Sequence, residues 1–335
     1  MQILLTYKGN KSGFRGVRLT RMVFQHLRIR EGRVSMAKRH RQRTEKKPSP
    51  ANIPLANVKH YMVAPSAPGA TRPGIDVELV VALQEIDRLI SDMRNGLNYP
   101  NQAWNEETAV QRYLLYISML IDVVLAEFTM SALHSNDMML IIKQRLLIEY
   151  AAKSAYYDEH PDYALFMMTI DRAKQRLKKL RKANADASKI AEAKQHHDEM
   201  IRRFPSVASM ERLTFDDVMA HYGDADDYVW LYAAPSAILH GDPDGIDVLI
   251  ETLPDGTQRP HLTLPLEQVN AMLVDAASNT LMFCDHFIGR FRPGEDAFLT
   301  RLKSLWKRIH ELVLKHPFGR DDDALEAIRA ALSTD

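Results

Sequence analysis

Two apolar stretches of this chain each carry polar side chains at intervals of four residues, the spacing that stacks them on one face of an α-helix. The first, KQRLLIEYAAKSAYY (Lys143 to Tyr157), puts Arg145, Glu149 and Lys153 in one row. The second, DDYVWLYAAPSAILHGD (Asp226 to Asp242), does the same for Tyr232, Ser236 and His240. Charged and hydroxyl groups on oily helices are costly to bury unless they meet one another. The pattern predicts a helical domain in which these two segments lie side by side with a polar cluster between them.

The helical period runs through most of the chain beyond Asp76. DVELVVALQEIDRLISDMRNGL sets Val77, Val80, Val81, Leu83, Ile86, Leu89, Ile90 and Met93 near a 3.6-residue repeat, and Gly96 is a stop signal. A second helix opens at Asn105 as N-cap, followed by Glu106 and Glu107, and runs to about Leu133. A third spans about Asp137 to Glu159 and is broken by Pro161. Further helices are expected near Met210 to Tyr222, with Thr214 and Asp217 as a capping pair, and over Leu266 to Phe291, Glu295 to Lys315 and Asp321 to Leu332. Pro235 should kink the chain beside Ser236. Only 14 Gly and 16 Pro occur, which disfavours a turn-rich β architecture.

The expected fold is all-α: a mainly antiparallel helical bundle forming a single domain over 76–333. One β-hairpin is expected at about 246–264, turning at Asp255-Gly256. The strongly charged stretch at about 170–203 reads as a projecting helix or helical hairpin, with a turn at Asn184 to Ser188. There is no internal repeat.

Charge divides the chain. Residues 1–50 hold 14 Lys and Arg against only Glu31 and Glu45, a formal +12, and the remainder carries −11. Residues 1–75 show no amphipathic period and read as a disordered basic arm and linker. Lys38, Arg39, Arg41 and Arg43 are its candidates for binding nucleic-acid phosphates. The alternatives are a solvated tail, an organelle transit peptide, or sequence upstream of a true start at Met22 or Met36.

The lone cysteine, Cys284, excludes an intramolecular disulfide and a zinc site built from several thiolates, and fits a reducing cytoplasm. The longest oily run, Tyr113 to Phe128, contains Asp122 and reads as a core helix rather than a membrane span, so no membrane association is expected. No His-Glu-x-x-His, phosphate-binding glycine loop, Gly-x-Ser-x-Gly or dinucleotide fingerprint occurs. His196-His197 sits on a charged helix, and Cys284-Asp285-His286 point apart on theirs, so no metal and no cofactor are expected.

The polar cluster admits two readings. Arg145 has several donors to satisfy, and Glu149 plus a hydroxyl from Tyr232 or Ser236 would do so. His240 falls in the last turn of its helix, where the dipole and Asp242 and Asp244 favour its charged form. That suits a general acid or base, or a phosphate ligand. The plainer alternatives are a polar latch fixing helix register and a C-terminal capping histidine.

The Arg145-x3-Glu149 helix together with the Tyr232-x3-Ser236-x3-His240 helix ending in Gly241 resembles a bacterial all-helical family known as domain of unknown function 5677. The resemblance covers roughly residues 80–290. It implies an all-α fold with these five residues as a shared cluster, and it brings no activity with it. A looser likeness is to the HEPN helical bundles, many of them RNA-cleaving toxins or phage-defence effectors. Their mark is Arg followed after four to six residues by His. Here no such Arg precedes His240, and the pairs that fit, Arg21/His26 and Arg33/His40, lie in the basic arm.

Two functions are therefore expected to compete. One is a bacterial cytoplasmic defence or stress component acting on RNA or a nucleotide, with His240, Arg145, Glu149, Ser236 and Tyr232 as catalytic candidates. The other is a non-enzymatic helical interaction module, binding a protein partner or a second copy of itself, whose cluster is structural.

Overall fold

The computed structural model describes residues 72–222, 250–252, 255–260, 264–315 and 322–333. Within them the chain is overwhelmingly helical, as its periodicity requires. Helix α1 (Val77–Arg94) starts where Asp76 accepts hydrogen bonds from the backbone N–H groups of Glu78 and Leu79 at 2.9 and 3.1 Å. Helix α2 (Glu106–Leu133) opens with a reciprocal box. Asn105 accepts from the Thr108 N–H, and Thr108 accepts from the Asn105 N–H. Helix α3 spans Asp137–Glu159, with Asn136 as its cap.

After α3 the chain breaks at His160-Pro161. Proline disfavours helical backbone in the residue before it, and His160 accordingly leaves the helix at ψ 70°. Pro161 then begins a short helix, α4 (Pro161–Phe166), which passes through a π-helical turn (Met167–Asp171) into α5 (Arg172–Lys182). Helix α6 (Ala187–Arg203) packs back against α5. The turn between them lies at residues 183–186, slightly ahead of the expected place, with Asn184 in the left-handed region at φ 48°.

Helix α7 (Phe215–Tyr222) carries the expected box. The Asp217 carboxylate accepts from the Thr214 N–H at 2.7 Å, and the Thr214 hydroxyl accepts from the Asp217 N–H at 3.2 Å. Two three-residue strands, β1 (Ile250–Thr252) and β2 (Gln258–Pro260), pair antiparallel with Glu251 opposite Arg259. Between them Gly256 takes φ 80°, and Asp255 accepts from the Thr257 N–H. The rest of the expected 246–264 hairpin lies outside the described residues, as does the basic arm up to residue 71.

Helix α8 (Leu266–Phe291) is the centre of the molecule. It touches α1, α2, α3 and the following α9 (Asp296–Lys315), against which α10 (Asp322–Ser333) packs. An apolar helix covered on every side is what its sequence dictates: Val269 to Leu281 is buried without interruption. Its polar residues are bonded partly to other elements and partly to the helix itself. Asn270 accepts from the Asp76 N–H and the Asp275 carboxylate from the Gln144 amide. Asn279 donates to the Asp275 carbonyl and Thr280 to the Ala276 carbonyl, each at 2.7 Å. One continuous hydrophobic core runs from Ile75 to Ile328, with Phe128, Phe283 and Phe287 among its largest fully buried side chains. Removing one such ring costs about 3–5 kcal/mol.

Arg72, within the stretch expected to be arm, is packed against the helices. Its guanidinium pairs with Asp137 at the start of α3, and its N–H donates to the Leu133 carbonyl at 2.7 Å. Helix α2 is long and apolar enough to cross a membrane by length and composition alone, with half of its most apolar window buried against the other helices.

Candidate functional site

Helix α3 carries two polar centres. The first is the row read from sequence. Arg145 Nη2 lies 3.7 Å from Glu149 Oε2, and the other oxygen of Glu149 is held by Lys153. The three side chains are 10%, 18% and 27% exposed, so the row is largely covered although it carries a net positive charge. Phenols surround it. Burial, with help from Tyr157 and Glu149, pushes the Tyr113 hydroxyl well above its usual range. Tyr150 is raised as well, by burial first and then by Glu149, with Arg145 opposing. Both phenols therefore stay protonated and able to donate.

Local packing explains why the row faces inward. Ile148 and Ala152 of α3 form a small apolar cluster with Val218 and Met219 of α7. This seats α7 beside the row and brings Lys153 to 5.7 Å from the Phe215 ring. The structure thus unites Arg145 and Glu149 and adds Lys153. The other three expected members, Tyr232, Ser236 and His240, lie outside the described residues, as do Lys38, Arg39, Arg41 and Arg43 of the arm.

The second centre sits at the C-terminal end of α3 and was not read from the sequence. Asp158 Oδ2 meets His286 Nδ1 at 2.9 Å, and Arg290 Nε donates to Asp158 Oδ1 at 2.9 Å. Arg290 also reaches Glu107 of α2, so one knot joins α2, α3 and α8. Burial alone would raise the Asp158 carboxyl, but its bond to His286 and the charges of His286 and Arg290 hold it below its usual value. Burial opposes charge on His286, yet Asp158, with Asp285 and Glu159, raises its pKa. The adjacent Asp285 is pushed up by burial.

One residue further along lie Glu159, His160 and, from α7, His221. Glu159 Oε2 is 3.4 Å from His221 Nε2, and one ligand atom from each of the three residues falls within 4.8 Å of the others. These are donors a divalent cation accepts. The spacing Glu-His-Pro was the available signal: a proline after the pair forces it off the helix, so neighbours in sequence stop facing apart. His286 and Arg290, four residues apart, were a second.

On α6, His196 is exposed, while the His197 side chain is 19% exposed with Nδ1 3.6 Å from its neighbour Asp198. Cys284 is fully buried, and burial raises its thiol pKa far above the range of a nucleophile. No family model matches the chain, and no curated protein or solved structure is detectably similar to it.

Proposed function

We propose that the Arg145–Glu149–Lys153 row is one wall of a site for a phosphate-bearing ligand, RNA or a nucleotide. The observation that carries this reading is a net positive row kept largely out of water on an apolar helix. A phosphate bound there would face a guanidinium and an ammonium on one helix face. Arg145 suits bidentate contact with phosphate oxygens, and the protonated phenols of Tyr113 and Tyr150 add neutral donors nearby. In the enzymatic form, His240 of the second sequence motif moves protons in phosphodiester cleavage while Arg145 stabilises developing charge. The likeness to helical bundles of phage defence suggests a bacterial cytoplasmic defence or stress role, and an antiparallel bundle is the arrangement this reading assumes.

The test is binding of a fluorescent single-stranded RNA oligonucleotide and of ATP to the full chain at fixed salt, with and without Arg145→Ala. Expected is a loss of at least tenfold in affinity with unchanged far-ultraviolet circular dichroism, and His240→Ala removing any cleavage while sparing binding. Absence of RNA and ATP binding by the wild type, or equal binding by Arg145→Ala, overturns it.

One observation favours the second reading, an interaction module. Helix α2 leaves Tyr116, Met119, Val123 and Met130 exposed on one face over about 21 Å at 1.5 Å per residue, with Glu127, paired with Lys143, between the last two. Tyr116 and Met130 are equidistant from Val123, so a second copy packed antiparallel would meet like spacing with like, as a twofold interface requires. Sedimentation equilibrium of wild type and Val123→Asp decides it: a dimer abolished by the substitution supports self-association, and a monomer in both rejects it.

A further inference from the structure

We infer that Glu159, His160 and His221 form a binding site for a first-row divalent cation of the zinc type. Two imidazole nitrogens and one carboxylate oxygen are the donor set of three-ligand zinc sites, which leave a fourth position for water or substrate. The same set also serves iron(II) and copper(II), with affinity ordered by the metal and the geometry.

The backbone builds this set. On a continuous helix Glu159 and His160 would diverge by roughly 100°. His160 instead caps α3 at φ −123°, ψ 70°, its N–H still bonded to the Tyr156 carbonyl at 2.9 Å. Pro161 imposes that conformation. The turn brings the His160 ring beside its neighbours. Its centroid lies 4.3 Å from the Tyr156 ring and 5.4 Å from the His221 ring, the latter edge to face. His221 is delivered from α7, which Val218 and Met219 anchor on α3.

Two measurements point to a ligand. A tetrahedral zinc with bonds of about 2.0–2.1 Å holds its ligand atoms about 3.3–3.4 Å apart. The Glu159 Oε2 to His221 Nε2 separation is 3.4 Å. A cation between these two atoms needs little rearrangement, and His160 closes the remaining gap within the 4.8 Å envelope by a small rotation. The second is His160 Nε2, which is buried and has no hydrogen-bond partner in the protein. A ring nitrogen in that condition costs about 1–3 kcal/mol, which a metal bond to that nitrogen would relieve. His221 is 45% exposed and Glu159 25%, so a cation has a way in from solvent.

Isothermal titration of the metal-stripped full chain with Zn2+ tests the site, paired with Co2+, whose visible absorption distinguishes tetrahedral from octahedral binding. Expected are one equivalent per chain, a tetrahedral cobalt spectrum and an upward shift of the melting temperature. His221→Ala should weaken binding by about 100-fold, and Glu159→Gln by at least about tenfold. His196→Ala/His197→Ala, at the histidine pair on α6, should change nothing. His160→Ala removes a half-buried ring and risks destabilising the chain, so the substitutions at the more accessible His221 and Glu159 are the decisive ones. Equal Zn2+ binding by wild type and His221→Ala, absence of binding at one equivalent, or loss on substituting the α6 pair would each overturn the assignment.

Discussion

Arg72 and Asp137 are 65 residues apart in sequence and form an ion pair whose side chains are only 7% and 3% exposed. Arg72 Nε also donates to Ser135 Oγ at 3.1 Å, and the second oxygen of Asp137 accepts from the Leu264 N–H at 2.6 Å. One carboxylate thus ties the approach to α1 and the approach to α8 to the first turn of α3. Its charge there also favours the positive end of the helix dipole.

Cutting this pair from one side leaves a buried charge uncompensated, which costs about 3–5 kcal/mol. Arg72→Ala should lower stability by the lower end of that range, because Leu264 continues to serve Asp137. Arg72→Met/Asp137→Leu should recover part of the loss. Urea unfolding followed by circular dichroism measures both. A single variant within about 0.5 kcal/mol of wild type, the range typical of surface changes, would show that the pair is hydrated in solution.

The knot at the end of α3 makes a different prediction. His286 and Arg290 both bind Asp158, so their contributions are coupled rather than additive. Each alanine substitution leaves the other cation on the carboxylate, while the double substitution leaves none. The double variant should therefore lose more than the two singles combined, by about 1 kcal/mol or more. Additive losses would mean that the two side chains act through separate contacts.

Helix positions were legible because they follow from period and capping chemistry, both local. Asn105, Thr214 with Asp217, and Gly96 marked ends that the folded chain uses. Arg145 and Glu149 were legible as a pair for the same reason: four residues on one helix fix their distance without any knowledge of the fold. The knot was not, because Asp158 and His286 are 128 residues apart and only the packing of α8 on α3 brings them together. Glu159 and His160 were hidden by a rule that holds inside helices and fails at their ends. The burial of Arg72 was hidden by its surroundings, since a Pro-, Gly- and Ala-rich approach resembles a linker until Asp137 is seen to receive it.

Asp87 of α1 gives the clearest pH test. Burial, a hydrogen bond with Asp122 of α2 and the like charge of Asp122 push its carboxyl up to about 6, against the opposing pull of Arg94 and Arg88. Arg94 is itself paired with Asp122, so Asp87 is the acid that gives way. An acid whose pKa is higher folded than unfolded holds its proton more tightly in the native state. Its contribution is therefore favourable in acid and is lost as pH rises from the unfolded value of about 4 to the folded value of about 6. In a dry site that rise would correspond to about 3 kcal/mol. Asp87 is only partly buried, and solvent screening reduces the figure to about 1 kcal/mol. Asp87→Asn keeps the shape and hydrogen bonding of the protonated acid without the titration. It should match wild type near pH 4 and exceed it by about 1 kcal/mol at pH 7, as read from urea midpoints at the two pH values. Parallel pH dependence in the two proteins would show that the carboxyl titrates normally and that Asp122 and Asp87 do not share a proton.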